Sequence, residues 1–361
     1  MKAYTLKGIG QLEYADVPMP DLQSGWALVQ VGAAGICGSD IPRIFQTGTY
    51  HFPTIPGHEF AGKVVDVYDQ CDREWIGKRA GVFPLIPCKQ CAACQKEQYE
   101  MCSHYDYLGS RRDGGFAEFV AVPVWNLLEL PENMTMKEAA MLEPSSVALH
   151  AVRRLELHRE DSAALFGLGT IGLLIVQWLW IMGLQDVFAV GHDPGHGKMM
   201  RQVVSDGYRY KNTDRDQRTE HNHQLDETAA WILEETKGEG VSVVIDCIGT
   251  SDSIKSCLDC VKPGGQLLAV ANPKGDVFLD KQTYWKILRK QIRLVGTWNS
   301  SFCHSKEDDW HTVKQFCSSG KFRLQELITH SLAFDQLLHG LEIAGDHAEY
   351  HNKIMICKDI S

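Results

Sequence analysis

A chain of 361 residues with 44% hydrophobic and 23% charged side chains is long enough for two domains and can bury a sizeable core, which excludes wholesale disorder. Its formal net charge of −10 argues against nucleic acid as a partner, because binding to a phosphate backbone draws on clustered Lys and Arg. A small anionic ligand needs only a local basic patch and stays possible.

The N-terminal stretch MKAYTLKGIGQLEY lacks the apolar core of a signal peptide. Residues 27–31 alternate and run into a Gly- and Ala-rich stretch at 32–35. A second run covers 60–67, and a third, 116–123, follows a turn at Gly114 and Gly115. The first third therefore reads as β-rich. From about residue 137 a helical pattern begins, with a step expected at Pro144. Strands then follow at 162–166, 187–190, 241–245, 266–271 and 292–295, interleaved with helices at 171–182 and 227–236. Such alternation implies a parallel sheet with helices on both faces. Residues 171–184, the most lipid-like stretch, fall short of the roughly 20 apolar residues of a bilayer span and include Gln177. A cytoplasmic protein with no membrane partner is expected. Residues 211–224 read as a solvated loop, and the chain closes with a strand at 353–357.

Twelve cysteines without an export signal do not suggest a disulfide framework. Cys88, Cys91, Cys94 and Cys102 stand as C-x2-C-x2-C-x7-C, a spacing at which four thiolates close a tetrahedral cage around zinc. An iron–sulfur cluster is the rival reading. It asks for a fourth cysteine after three residues, followed by proline, whereas here seven residues intervene and Ser103 follows.

Cys37 in GICGSD, His58 and Glu59 in GHEFAG, and Glu143 in MLEPSS offer a mixed sulfur, nitrogen and oxygen set, as a catalytic zinc with an open position uses. Gly35, Gly38 and Gly57 flank these residues and let backbone crowd a small cavity. Further on, Gly167, Gly169 and Gly172 form G-x-G-x-x-G between a strand and an apolar helix, with Thr170 and Ile171 opening that helix. This arrangement presents free N–H groups to a pyrophosphate. Asp193, 21 residues past the last glycine, is expected at the end of the next strand, where an acid holds the adenosine ribose.

In this order GICGSD, GHE, the four-cysteine lobe, GLGTIG, VIDCIG and GTW resemble the zinc-containing medium-chain dehydrogenases over almost the whole chain. Residues 37–45, 105–120, 143–151 and 286–300 are most similar to its galactitol-1-phosphate 5-dehydrogenase branch. The resemblance implies an α/β fold: a GroES-like, β-rich catalytic domain from 1–150 and 290–361, and a Rossmann doubly wound parallel-sheet domain from 151–289. It further implies that Cys37, His58 and Glu143 hold a catalytic zinc, with Glu59 adjacent or alternating, and that Cys88, Cys91, Cys94 and Cys102 hold a structural one.

The implied reaction moves a hydride from a secondary alcohol of a sugar-alcohol phosphate to NAD, with Ser39 taking the proton. Arg43, Arg111 and Arg112 are the candidates for the phosphate, and a homodimer or homotetramer through the nucleotide-binding domain is implied as well. The alternatives are a dehydrogenase of an unphosphorylated polyol (sorbitol, iditol) or of threonine, and a non-catalytic relic that keeps only the nucleotide site.

Two positions depart from the family pattern. Pro42 stands where many members place a proton-relaying His, five residues after the zinc cysteine. The acidic position after the fingerprint helix falls on Gly191 without a gap, and on Asp193 if the strand is extended. Lys198, five past Asp193, fits the second alignment. NAD is expected, and Gly191 leaves room for NADP.

Overall fold

Alternation in WALVQVGAAGI makes Trp26–Ile36 a strand of 11 residues, long enough to serve two neighbours on one side. Its first half pairs with Phe119–Pro123 and its second half with Lys353–Cys357, both antiparallel. Glu59–Val67 covers the other side in antiparallel register. The sheet runs Ile328–Ala333, Lys353–Cys357, Trp26–Ile36, Glu59–Val67, Arg79–Val82, Leu127–Glu129. Val29, Val31, Phe60, Val64, Val120, Val122, Ile354 and Ile356 lie in its core.

The computed structural model describes residues 1–204, 207–213, 226–346 and 349–358. The chain divides into two compact units, Met1–Ser146 with Ser300–Ser361, and Val147–Asn299. In the second unit six parallel strands stand in the order Arg209–Asn212, Asp186–Gly191, Ser162–Phe166, Val241–Asp246, Val261–Ala269, Arg293–Gly296. Apolar runs such as SAALF and VSVVID are nearly fully buried, as strands covered on both faces must be. The strand order reverses between Ser162–Phe166 and Val241–Asp246, the switch point where such sheets bind ligands. The fold is the expected GroES-like β-rich unit plus a Rossmann unit.

Four expectations change. The helical stretch after residue 135 breaks at Met141, between Met136–Ala140 and Leu142–Arg153, not at Pro144. Pro144 has no N–H to give Ala140, so it sits in the first turn of the second helix and ends the one before it. Arg293–Gly296 pairs in register with Val261–Ala269, which places it in the second unit and not in a segment starting at 290. The strand expected to extend to Asp193 stops at Gly191, because Asp193 instead caps the helix Pro194–Val203. Lys211 and Asn212 belong to the edge strand Arg209–Asn212, not to a loop; residues 214–224 of that stretch lie outside the described residues. Among the described residues no helix is long and apolar enough to cross a membrane.

Candidate active site

The antiparallel pairing of Trp26–Ile36 with Glu59–Val67 matches Gly35 to Glu59. Cys37, two residues past Gly35, and His58, one before Glu59, are thereby brought together. Cys37, His58 and Glu59 offer ligand atoms that all lie within 4.8 Å of one another. His58 and Glu59 are buried and Cys37 is half-buried. Gly35 is required here: a Cβ at that position would come 2.3 Å from Glu59 Oε2. A thiol, an imidazole and a carboxylate converging in a partly enclosed spot fit a zinc ion with one position left open.

Asp40, fully buried, organises the donors. Its Oδ2 accepts the Cys37 N–H at 3.0 Å, and its Oδ1 lies 3.0 Å from Arg43 Nη1 and 3.5 Å from His58 Nδ1. Burial alone would raise the Asp40 pKa; His58, Arg43 and the Cys37 N–H outweigh it and hold it below the ordinary value. A carboxylate behind a metal-binding imidazole fixes the ring and leaves the other nitrogen to face the metal. Neither the Cys37–His58 spacing nor composition pointed to Asp40, although it stands within the GICGSD motif.

Glu59 is also half of a buried ion pair, with Lys353 Nζ 2.6 Å from its Oε2. Lys353 donates to the Ile36 carbonyl as well, at 3.1 Å. Sequence reasoning missed Lys353 because it lies 294 positions away in a strand otherwise read as plain core. Glu143 stands in the first turn of Leu142–Arg153 and outside the 4.8 Å set. Its hydrogen bond is a long one, 3.4 Å from the Tyr107 hydroxyl. Burial pushes Glu143 up to about 7, and the like charge of Glu59 adds to this, while His58, Lys353 and Tyr107 oppose it. The structure thus brings Glu59, not Glu143, into the tight set and places Glu143 within electrostatic reach of His58 and Glu59. The Ser39 hydroxyl points at Cys37 Sγ, 3.3 Å away.

The predicted arginines differ in what engages them. Arg43 keeps 21% of its side chain exposed while bound to Asp40. The Arg111 guanidinium is sandwiched between the rings of Tyr50 and Tyr105, each 4.3 Å away, and donates to the Tyr105 carbonyl. Arg112 pairs with Asp106 and lies over Trp26.

In the cysteine lobe the Sγ atoms of Cys88 and Cys94, Cys91 and Cys94, and Cys91 and Cys102 lie 3.9, 3.6 and 3.9 Å apart. A tetrahedron with Zn–S bonds of about 2.3 Å has edges of about 3.8 Å, so the four sulfurs already stand at zinc spacing. A multi-iron cluster would need room between them. Main-chain N–H groups of Cys94 and Ser103 pull the Cys91 thiol down to about 5, whereas burial pushes Cys94 up. All twelve cysteines are free of disulfides.

In the second unit Gly167 takes φ +96°, and a Cβ on Gly172 would come 2.2 Å from the Gly167 carbonyl oxygen. The turn is therefore closed tightly against the helix Thr170–Ile181, whose N-cap is Gly169. Thr170 and Ile171 open that helix, whose first-turn N–H groups are of the kind that receive a phosphate. Asp193 Oδ1 accepts the Gly195 N–H at 2.7 Å, and Lys198 is exposed on the same helix.

Residues 23–132 match the alcohol dehydrogenase GroES-like domain and residues 170–319 the zinc-binding dehydrogenase family. The chain belongs to the medium-chain zinc-binding alcohol dehydrogenases, enzymes that use zinc and NAD(P). It is 28% identical to galactitol 1-phosphate 5-dehydrogenase of Escherichia coli strain K12, over 93% of this chain and 94% of the relative. It is 27% identical to L-idonate 5-dehydrogenase of Vitis vinifera, over 92% of this chain and 87% of the relative. The crystal structure of galactitol-1-phosphate dehydrogenase from Escherichia coli superposes with a TM-score of 0.85 at 27% identity, covering 99% of this chain and all of that one.

Proposed function

We propose that this enzyme oxidises a secondary alcohol of a sugar-alcohol phosphate of the galactitol 1-phosphate kind, with NAD(P) as hydride acceptor. The observation that carries the reading is Arg43, a partly exposed guanidinium tied through Asp40 to His58. In a chain of net charge −10, a fixed guanidinium in the network of the metal donors is suited to a phosphate. Arg111, held by the Tyr50 and Tyr105 rings, and Arg112, paired with Asp106, are the further candidates for the phosphate.

Cys37, His58 and Glu143 would hold the catalytic zinc, with Glu59 kept on Lys353; the cysteine quartet would hold the structural one. When bound, the catalytic zinc supplies Lewis-acid polarisation of the substrate hydroxyl, and the nicotinamide supplies the hydride acceptor. Asp40 keeps the His58 ring oriented and fixes the Cys37 backbone. Ser39 Oγ, beside Cys37 and partly exposed, accepts the hydroxyl proton while releasing its own to solvent water, a relay that Pro42 has no proton to join. Arg43 aligns the phosphate, and the turn 167–172 holds the dinucleotide pyrophosphate. The test is reduced-dinucleotide production by zinc-replete protein with galactitol 1-phosphate and with galactitol. Turnover of the phosphorylated compound alone is expected; equal or faster turnover of galactitol would overturn the phosphate assignment and leave the dehydrogenase standing.

The same reading includes a homodimer or homotetramer formed through the nucleotide-binding unit. Arg293–Gly296 is the edge of the parallel sheet, with Leu294 58% exposed, and Tyr284, Leu288 and Trp298 are exposed nearby in sequence. An open apolar edge strand pairs readily with its own copy about a two-fold axis. Light scattering should give a dimeric or larger mass, and Leu294→Asp should give monomers.

A further inference from the structure

The identity of the dinucleotide can be argued from the end of one strand. In a doubly wound fold an acid at the end of the second strand holds the ribose hydroxyls of NAD and repels a 2′-phosphate. Here that strand, Asp186–Gly191, ends on Gly191, which is paired in register with Asn212. Gly191 is buried against the glycine-rich turn: a Cβ there would lie 3.3 Å from Leu168 Cβ and 3.1 Å from Tyr210 Oη. The position faces the nucleotide turn and carries no carboxylate.

The nearest acid in sequence, Asp193, is committed elsewhere. It is the N-cap of Pro194–Val203, where its Oδ1 accepts the Gly195 N–H at 2.7 Å. Its carbonyl oxygen accepts the Tyr210 hydroxyl at 2.6 Å. Its negative charge sits against the positive end of a helix, which offsets it. Gly197, one turn into the helix, leaves the space filled by the Tyr210 ring, since a Cβ there would come 2.3 Å from it. Tyr210 thus wedges Asp193 into its capping role. Among the described residues Lys198, seven positions past Gly191, is an exposed cation on the helix that follows this strand.

We propose that the adenosine end of this site accepts the 2′-phosphorylated dinucleotide NADP at least as readily as NAD, with Gly191 as the specificity-determining residue. This rests on the dehydrogenase reading above. The test is calorimetric titration of zinc-loaded protein with NADPH and with NADH. The Kd for NADPH is expected to equal or fall below that for NADH. Gly191→Asp should shift the ratio toward NADH by about tenfold or more, the effect of a like charge beside the phosphate. Should that side chain prove too tight against Tyr210 to fold, Asp193→Ser, which keeps a capping hydroxyl, remains decisive: it should leave NADH affinity unchanged. A wild-type Kd for NADH below that for NADPH, or a loss of NADH affinity in Asp193→Ser, overturns the proposal and leaves the dehydrogenase intact. Failure of the folded protein to bind either dinucleotide would overturn the dehydrogenase reading with it.

Discussion

Lys353 Nζ and Glu59 Oε2 lie 2.6 Å apart with both side chains almost wholly buried, so the opening of one strand neutralises the opening of another. Removing one partner of such a pair leaves a buried charge uncompensated, at a cost of about 3–5 kcal/mol. Lys353→Met should therefore lower the urea midpoint of the unit that contains it, followed by tryptophan fluorescence. Adding Glu59→Gln should restore most of the loss. An additive double variant would show that the two residues do not act as a pair.

The same pair decides which carboxylate is left for a metal. Glu59 already pairs with a buried ammonium, while among the described residues the hydrogen bond to Glu143 is the long one from the Tyr107 hydroxyl. Glu143→Gln is expected to lose catalytic-site zinc, read by metal analysis, and Glu59→Gln to keep it. The reverse result would assign the ligand role to Glu59.

Wild-type protein should hold about two zinc ions per chain, one for each cluster. Cys37→Ser should hold about one, fold normally and lose turnover. Cys91→Ser should also hold about one, but with residues 88–102 newly open to protease. An active Cys37→Ser enzyme with its full zinc content would refute the site.

Asp40 is fully buried and is predicted to act through His58 and Cys37. Asp40→Asn keeps the shape but removes the charge behind the imidazole, and should weaken zinc retention or activity by about 10–100-fold. Competition with a chelator measures the first and kcat the second. Unchanged values in both would leave Asp40 a packing residue only.

What could be read in advance follows from distance along the chain. The cysteine lobe and the glycine turn each lie within fifteen residues, so their chemistry is visible as spacing. Cys37 and His58 are joined by strand register, which alternation of apolar residues suggests but does not fix. Lys353 is joined to Glu59 only by the closing of the sheet, and a lysine in KIMIC carries no local sign that it is buried. Asp193 was misplaced although a signal was present. Asp followed by Pro is a helix start, with the aspartate as cap and the proline in the first turn. The same rule, applied to Pro144, would have placed the break between helices before it.

Because Lys353–Cys357 lies between Ile328–Ala333 and Trp26–Ile36, the first unit cannot complete its sheet until residues 353–357 have left the ribosome. The second unit, continuous from Val147 to Asn299, has no such wait. Until residue 353 emerges, Glu59 lacks the ammonium with which it pairs. Synthesis therefore imposes an order in which the second unit matures first and the surroundings of Cys37, His58 and Glu59 are completed last, so a chain stopped before residue 353 would hold the parallel-sheet fold with Glu59 unpaired from Lys353.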